Sequence, residues 1–285
     1  MSTAASPDAF RTFRAGPRFL CVAPGFEDGV LRLGLLQPGG LERLLDQARG
    51  PMGRARTAVV PLEGRSERLH VRPVRHGGWL AGLWGDRVLG LRRPTAELRL
   101  TERLSARGAP VPRAVFVAAR RRSGPFWTAA LATVHEEGAL DGVAFLDAAP
   151  EAERRLRACA SAGAAVRRLH EAGVRHRDLH VKNLLLREVG DRTETLIVDL
   201  DRARPALRAS ARARMAEIMR LYRSLVRRGL ADGLGPEGCQ RFLEAYTDQD
   251  QRLRASLLAH LPRERRRLAR HALGHRLARR RDPAP

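Results

Sequence analysis

Residues 173–186, GVRHRDLHVKNLLL, and residues 195–203, TLIVDLDRA, are the stretches that decide the fold. In the first, Asp178 is followed five positions later by Asn183, and in the second an apolar run ends at Asp199. Transfer of a phosphoryl group from a nucleotide needs a carboxylate that accepts the proton of the acceptor hydroxyl, and oxygen ligands for Mg²⁺. Asp178 suits the first role, and Asn183 and Asp199 suit the second. The spacing therefore predicts a nucleotide-dependent phosphoryl-transfer site.

Further polar side chains lie in or just beyond residues 176–183, which we call the catalytic loop. We expect His176 to brace this loop through hydrogen bonds, and His180 either to face the acceptor or to have a structural role. Lys182 either neutralises the transferred phosphate or is solvated. Asp201, two residues after Asp199, either holds a second metal ion or pairs with its neighbour Arg202.

The N-terminal half of such a chain should supply a strand cation that holds the α- and β-phosphates, and a helix glutamate that positions it. The single lysine, Lys182, already lies in the catalytic loop, so an arginine must take this role. The sequence predicts Arg72 in RLHVRPV as the cation and Glu97 as its partner, because a guanidinium can bridge phosphate and carboxylate. Alternatively, Arg72 is an exposed strand arginine without this role. Glu97 is then an acid that the helix dipole favours at a helix start. Gly64, in PLEGRSE, is the glycine available for a phosphate-binding turn.

The hydrophobic pattern places strands first and helices last, which indicates a two-lobed α+β chain. We expect an N-terminal extension over residues 1–50, a small lobe over 51–137 and a mostly helical lobe over 138–285. The predicted strands are residues 56–62, 68–74, 114–120, 126–134, 183–188 and 195–200. The predicted helices are residues 41–48, 95–106 with Thr95 as the cap, 151–172, and most of the chain after about residue 210.

Three parts of the sequence resemble a known family: residues 69–115, from LHVRPVRHGG to PRAV, the loop HRDLHVKNLLL, and the strand LIVDLDRAR. The loop and the Asp that follows it resemble those of protein-kinase-like folds. Together the three parts resemble the lipopolysaccharide kinase (Kdo/WaaP) family over about residues 54–225, and most of all its 3-deoxy-D-manno-octulosonic acid (Kdo) kinases. Members have an arginine in the strand, then a basic Gly-Gly segment and a helix with Glu. They also have a D-F-D-R-like ending, which here is Asp199-Leu200-Asp201-Arg202.

The resemblance implies a protein-kinase-like fold, with a small antiparallel-sheet N-lobe that has one key helix and a mostly helical C-lobe. It implies ATP and Mg²⁺ as cofactors, with no other metal, and phosphorylation of a sugar hydroxyl (Kdo or heptose) of the lipopolysaccharide inner core. The implied partners are an anionic glycolipid, a lipid A precursor that carries Kdo, and the cytoplasmic face of the bacterial inner membrane. Two positions depart from the pattern: Gly64 is a single glycine where protein kinases have G-x-G-x-x-G, and Leu200 replaces an aromatic residue.

The charge balance points to the same kind of partner. The chain has 53 Lys+Arg against 31 Asp+Glu, a net charge of +22, which attracts polyanions. Residues 249–281 carry eleven arginines, with apolar residues at helical spacing. This segment either lies on an anionic membrane surface as a basic amphipathic helix or packs its leucines on the body of the protein. Specific nucleic-acid binding is not expected, because aromatic residues make up only 5% and no nucleic-acid-binding motif occurs.

Composition excludes several other classes. Hydrophobic residues make up 44% of the chain, which is too many for wholesale disorder. The longest stretch without Asp, Glu, Lys or Arg, residues 123–135, is too short to span a membrane, and the N-terminus lacks the apolar core of a signal peptide. The three cysteines, Cys21, Cys159 and Cys239, are far apart in sequence and favour reduced thiols over a zinc site or disulfides.

Two alternative functions stay open at this point. A small-molecule or RIO-like protein kinase would share the catalytic loop, but no A-P-E-like peptide anchor follows Asp199, and a charge of +22 suits an anionic acceptor. A catalytically impaired, kinase-shaped protein that binds the membrane surface is favoured by the single glycine and the missing strand lysine. The presence of Asp178, Asn183 and Asp199 argues against it.

Overall fold

The computed structural model describes residues 10–48, 57–75, 87–206 and 209–270, and all structural statements below concern these residues. The chain divides into two compact units, Met1–Glu137 (unit 1) and Gly138–Pro285 (unit 2). Among the described residues, no helix is both long enough and apolar enough to cross a bilayer. All three cysteines are free thiols, and Cys21 and Cys159 are buried.

Unit 1 is built on an antiparallel sheet whose strands run in the order β1-β2-β6-β7-β4-β3, with β5 also paired to β7. Its strands are β1 (Arg11–Ala15), β2 (Arg18–Val22), β3 (Ala58–Pro61), β4 (Arg68–Val74), β5 (Arg87–Leu89), β6 (Ala114–Ser123) and β7 (Phe126–Val134). Its helices are α1 (Glu27–Arg32), α2 (Gly40–Gln47) and α3 (Arg92–Ala106).

Alternate residues of the central strands divide between two apolar cores, one on each face of this sheet. Leu20 and Phe116 pack with Phe26, Val30 and Leu44, the last three from the segment that contains α1 and α2. On the other face, the neighbouring strand residues Cys21 and Val117 pack with Leu98 of α3. The sheet is therefore the middle layer of unit 1, because successive strand side chains point to opposite faces.

Unit 2 is mostly helical and includes a small three-stranded sheet in the order β11-β10-β8 and a two-stranded pair, β9 with β12. Its strands are β8 (Leu140–Asp141), β9 (Val174–Arg175), β10 (Leu184–Val189), β11 (Arg192–Ile197) and β12 (Arg204–Pro205). Its helices are α4 (Gly142–Asp147), α5 (Ala152–Glu171), α6 (Ala211–Val226), α7 (Ala231–Thr247), α8 (Gln251–Leu258) and a final helical stretch over residues 261–270.

The predicted fold class, a helical C-terminal half after an antiparallel sheet, is confirmed, and most predicted elements occur within a few residues of their expected ends. Two details were wrong. The helix predicted from Thr95 begins at Arg92, so Glu97 lies beyond its first turn, and Thr95 Oγ1 donates to the carbonyl oxygen of Leu91 (2.7 Å). Pro94 fits in the first turn because no N–H is needed there. The strand predicted over residues 195–200 ends at Ile197.

Residues 10–48, within the expected N-terminal extension, supply two strands of the unit 1 sheet and much of one of its cores. The basic Gly-Gly segment of the resemblance lies in residues 76–86, outside the described residues. The C-terminal part of the predicted basic helix, residues 271–281, also lies outside them.

Candidate active site

The catalytic loop connects β9 to β10, and a backbone turn directs its first residues. Arg177 adopts a positive φ of 49°, and the N–H of Asp178 donates to the carbonyl oxygen of His176 (2.5 Å). The loop then ends in a short 3-10 turn, Val181–Asn183, before the chain enters β10. This tight path places the carboxylate of Asp178 on a partly exposed corner of unit 2.

Asn183 joins the two halves of the predicted site. Its side chain is buried, and its Nδ2 donates to the carbonyl oxygen of Asp178 (3.1 Å). Its own carbonyl oxygen accepts from the N–H of Val198 (3.0 Å), the residue before Asp199. Because the amide nitrogen is used within the loop, its oxygen Oδ1 is the side-chain atom suited to a metal ion.

Asp199 follows the β10–β11 hairpin with a left-handed backbone (φ 62°, ψ 60°), a conformation that Asp tolerates better than most residues. Its side chain is exposed at the start of the 3-10 turn Leu200–Arg202, which also carries Asp201. His180 lies close enough to Asp178 and Asp199 to sense both charges. Burial lowers the pKa of His180, and these two carboxylates oppose that change.

Two further side chains of the catalytic loop differ in exposure, and Arg202, beyond the loop, contacts its Asp178. His176 is fully buried, and its Nε2 lies 2.9 Å from the carbonyl oxygen of Val198, so it braces the loop. Lys182 is exposed. Arg202 Nη1 lies 3.8 Å from Asp178 Oδ2, in a pair whose side chains are about half exposed.

Sequence reasoning missed the group that anchors the start of the loop. Glu217 of α6 is fully buried, and its carboxylate accepts from Arg175 Nε (2.7 Å) and from the backbone N–H of His176 (2.9 Å). His170 of α5 bridges Glu217 Oε2 (3.2 Å) and the hydroxyl of Tyr246 (2.7 Å) through its two ring nitrogens. Burial would raise the pKa of Glu217, but these hydrogen bonds and charges together hold it below its ordinary value.

Helix α6 contacts the loop at two further points. Arg220 Nη1 donates to the carbonyl oxygen of Arg177, and the N–H of Val181 donates to Ser224 Oγ (2.9 Å). One helix thus holds the backbone on both sides of Asp178. In the sequence Glu217 stands out only as the single acidic residue of α6, which marks the residue but not its contacts.

In unit 1, the structure pairs the two residues that the sequence proposed as partners. Arg72 Nη2 on β4 lies 2.5 Å from Glu97 Oε1 on α3, and the side chain of Glu97 is only 5% exposed. His70 lies two residues before Arg72, on the same side of β4. Burial, followed by the charges of His135 and Arg72, lowers the pKa of His70 to about 4.

The turn that contains Gly64 is held by arginines. Gly64 has a positive φ of 78°, as a tight turn of this kind requires. Arg32 Nη2 donates to the carbonyl oxygen of Glu63 (3.1 Å), and Arg65 donates to the carbonyl oxygen of Gly25. The guanidinium of Arg65 also lies over the ring of Phe26, 4.6 Å from its centroid.

The donor set near Asp178 fits a magnesium ion that is held mainly by a nucleotide. Within the described residues, no three His, Cys, Asp or Glu side chains cluster as a self-contained metal site would require. Asn183, Asp199 and Asp201 offer amide and carboxylate oxygens, the ligand type that Mg²⁺ prefers, and Mg²⁺ commonly takes only one or two protein carboxylates beside phosphate oxygens.

Comparison with known proteins gives consistent results. The model of the lipopolysaccharide kinase (Kdo/WaaP) family matches residues 62–246. A 3-deoxy-D-manno-octulosonic acid kinase of Actinobacillus succinogenes is 32% identical over 132 residues, which cover 42% of this chain and 52% of that protein. One from Xylella fastidiosa strain 9a5c is 33% identical over 162 residues, which cover 55% of this chain and 61% of that protein. The chain thus spans about half to three-fifths of the length of these relatives.

Among solved structures, WaaP in complex with acyl carrier protein matches with a TM-score of 0.57 and 23% sequence identity. The match covers 87% of this chain and 98% of that chain. At this level of identity the likeness concerns the fold, which is the fold predicted from the catalytic loop and the strands that surround it.

Proposed function

This chain belongs to the lipopolysaccharide kinase (Kdo/WaaP) family, and on that premise we propose that it transfers the γ-phosphoryl group of ATP to a sugar hydroxyl, of Kdo or heptose, in the lipopolysaccharide inner core. One observation carries the proposal. Hydrogen bonds through Asn183 and Val198 link the backbone at Asp178 to the segment that ends at Asp199, which supports a shared site for the proposed base and metal ligands.

In the proposed mechanism, Asp178 orients the acceptor hydroxyl and takes its proton at a carboxylate oxygen as the new P–O bond forms. Asn183 Oδ1 and Asp199 would hold Mg²⁺, with Asp201 as a further oxygen ligand. When bound, this ion would neutralise negative charge on the nucleotide phosphates. His176 and Glu217 keep the backbone of the loop in place, which preserves the position of Asp178 relative to the acceptor.

Arg72 is proposed to hold the α- and β-phosphates in place of the usual lysine. The ion pair with Glu97 fixes the direction of its guanidinium, whose planar set of N–H donors is the group that matches phosphate oxygens. Gly64 would approach the phosphates through its backbone. Exposed Lys182 would add positive charge near the transferred group.

The proposed acceptor is an anionic glycolipid, a lipid A precursor that carries Kdo, at the cytoplasmic face of the inner membrane. The net charge of +22 supports such a partner and disfavours a cationic small molecule.

The alternative is a catalytically impaired, kinase-shaped binding protein at the membrane surface. The turn around Gly64 favours it. Arginine side chains hold this single-glycine turn in place, whereas a loop that covers phosphates has to move. A small-molecule or RIO-like protein kinase remains the rival within the enzyme class.

Incubation of the protein with Mg-ATP and a purified Kdo-bearing lipid A precursor tests the proposal. The native chain should transfer phosphate, and Asp178→Asn should lower the rate about 10²- to 10⁴-fold, the usual contribution of a general base. Asp191→Asn, in the exposed β10–β11 turn, makes the same charge change and should keep full activity. No transfer by the native chain, or equal transfer by Asp178→Asn, would overturn the mechanism. ATP binding in a thermal-shift assay without turnover would support the binding-protein alternative.

A further inference from the structure

Helix α6 carries arginines along one side, beginning at the catalytic loop. Arg220, Arg223 and Arg227 are spaced at i, i+3 and i+7, so they follow one face of the helix and its C-terminal end. Arg220 donates to the carbonyl oxygen of Arg177, the residue before Asp178. The row of guanidinium groups therefore starts beside the proposed catalytic base.

A second element adds to this charge. Residues 261–270 are helical, and they bring Arg267 and the buried Glu264 close to Arg223. Burial, followed by the charges of Arg267, Arg220 and Arg227, lowers the pKa of Arg223, and Glu264 opposes the change. We call Arg220, Arg223, Arg227 and Arg267 the arginine cluster.

The two segments that carry the cluster have a large excess of positive charge. Residues 220–228 and 261–270 together contain nine arginines and one acidic residue, Glu264. Like charges at this range destabilise one another, so a bound anion would relieve the repulsion that folding leaves in place.

We propose that the arginine cluster binds a phosphate monoester on the sugar head of the acceptor glycolipid. This inference rests on the proposed function and names the acceptor's side of the same site. Guanidinium forks match phosphate oxygens two at a time, and several of them together suit a dianion. Because Arg220 contacts the residue before Asp178, a phosphate held by the cluster would anchor the acceptor next to the base.

Binding without ATP tests the proposal independently of catalysis. The probe is a phosphatidylcholine vesicle that contains a phosphorylated lipid A precursor. Matched vesicles contain the same lipid after its phosphates are removed, or phosphatidylglycerol at equal total charge. The double variant Arg223→Gln/Arg267→Gln is compared with Arg252→Gln/Arg254→Gln, which removes the same charge from α8, outside the cluster.

The cluster variant should bind the phosphorylated lipid at least about tenfold more weakly than the control variant, with little difference on the other two vesicles. Equal binding by both variants would overturn the proposal. So would an equal loss on phosphatidylglycerol, which would show that the cluster responds to bilayer charge alone. If the double variant does not fold, Arg227→Gln, exposed at the end of α6, gives the same comparison with a smaller loss.

Kinetics separate this inference from the proposed function. In the transfer assay, the cluster variant should raise the KM for the lipid acceptor about tenfold and leave the KM for ATP unchanged. A native chain that binds the phosphorylated lipid through the cluster but transfers no phosphate would overturn the proposed function and leave the anion site standing. Transfer by the cluster variant with an unchanged acceptor KM would overturn the anion site and leave the function standing.

Discussion

The catalytic loop of unit 2 and the Gly64 turn of unit 1 are held in different ways. In the loop, Glu217 and Ser224 of one helix make buried hydrogen bonds to main-chain N–H groups on both sides of Asp178, and Arg220 adds an exposed contact. The turn is held by the long side chains of Arg32 and Arg65, which reach carbonyl oxygens at or near the surface.

The difference shows which part of the molecule tolerates substitution. Buried hydrogen bonds to a carboxylate are costly to lose, because the groups left behind have no access to water. Exposed arginine contacts are weak, because water and salt compete with them. We therefore expect single substitutions in the anchoring helix to lower stability and activity strongly. Single substitutions of the arginines that hold the turn should have small effects.

The largest effect is expected from Glu217→Gln. An amide has one acceptor oxygen, so its NH₂ group would face either Arg175 or the N–H of His176, which are both donors. The free energy of unfolding should fall by about 2–4 kcal/mol, and transfer should fall at least tenfold. Urea denaturation and a transfer assay measure both. Glu237→Gln, exposed on α7, is the control, and equal losses in the two variants would contradict the anchoring role.

Acidification should affect unit 1 first. Because the pKa of His70 is lowered to about 4 from an ordinary 6.5, the unfolded chain takes up this proton before the folded chain does. The stability from His70 is complete above pH 6.5 and is lost as the pH falls towards 4, by about 1–3 kcal/mol in total. In thermal melts between pH 7.5 and 4, the melting temperature of the native chain should fall as the pH falls. The fall should be smaller in His70→Gln.

The stability that Glu217 contributes has the same sign of pH dependence, but it is lost at lower pH. Its lowered pKa gives stability that is complete above its unfolded value of about 4.5 and is lost only as the pH falls further. If melts show no His70-dependent change in stability between pH 6.5 and 4.5, the neutral state assigned to His70 in the folded chain is wrong.

A smaller effect is expected at the second backbone anchor. Ser224→Ala would leave the N–H of Val181 buried without its hydroxyl acceptor, which costs about 1 kcal/mol. Ser256→Ala, exposed on α8, should cost almost nothing. Denaturant titration of both variants provides the measurement, and identical midpoints would remove Ser224 from the anchor.

The smallest effect is expected in the turn. Arg65→Gln removes the contact with Gly25 and the guanidinium over Phe26, and should lower the free energy of unfolding by less than about 1 kcal/mol. If Gly64 approaches the nucleotide, the KM for ATP should rise a few-fold with kcat unchanged. A loss as large as that of Glu217→Gln would show that the two regions do not differ as described.

Sequence alone selected the candidate residues where spacing or composition restricts the choice. Asp178, Asn183 and Asp199 are identified by spacing, and the absence of a second lysine leads to Arg72, which the structure pairs with Glu97. The roles of these residues stay predictions. Glu217 could not be placed, because a separation of 41 residues from His176 says nothing about which faces meet.

The N-terminal strands were missed for a different reason. β1 is an edge strand of mostly exposed residues rich in arginine, so its alternation of polar and apolar residues is weak. The turn at Gly16 and Pro17, between RTFRA and RFLCV, was the signal that could have found the hairpin.

The layer that α1 and α2 form over the sheet has a practical consequence for fragments of this protein. A piece starting at residue 51, where the extension was expected to end, would expose Leu69, Val71 and Phe116 to water and leave β6 with an open edge. Apolar strips beside unpaired strand edges drive association between copies. Such a fragment should aggregate, so the smallest well-behaved version of unit 1 begins before β1.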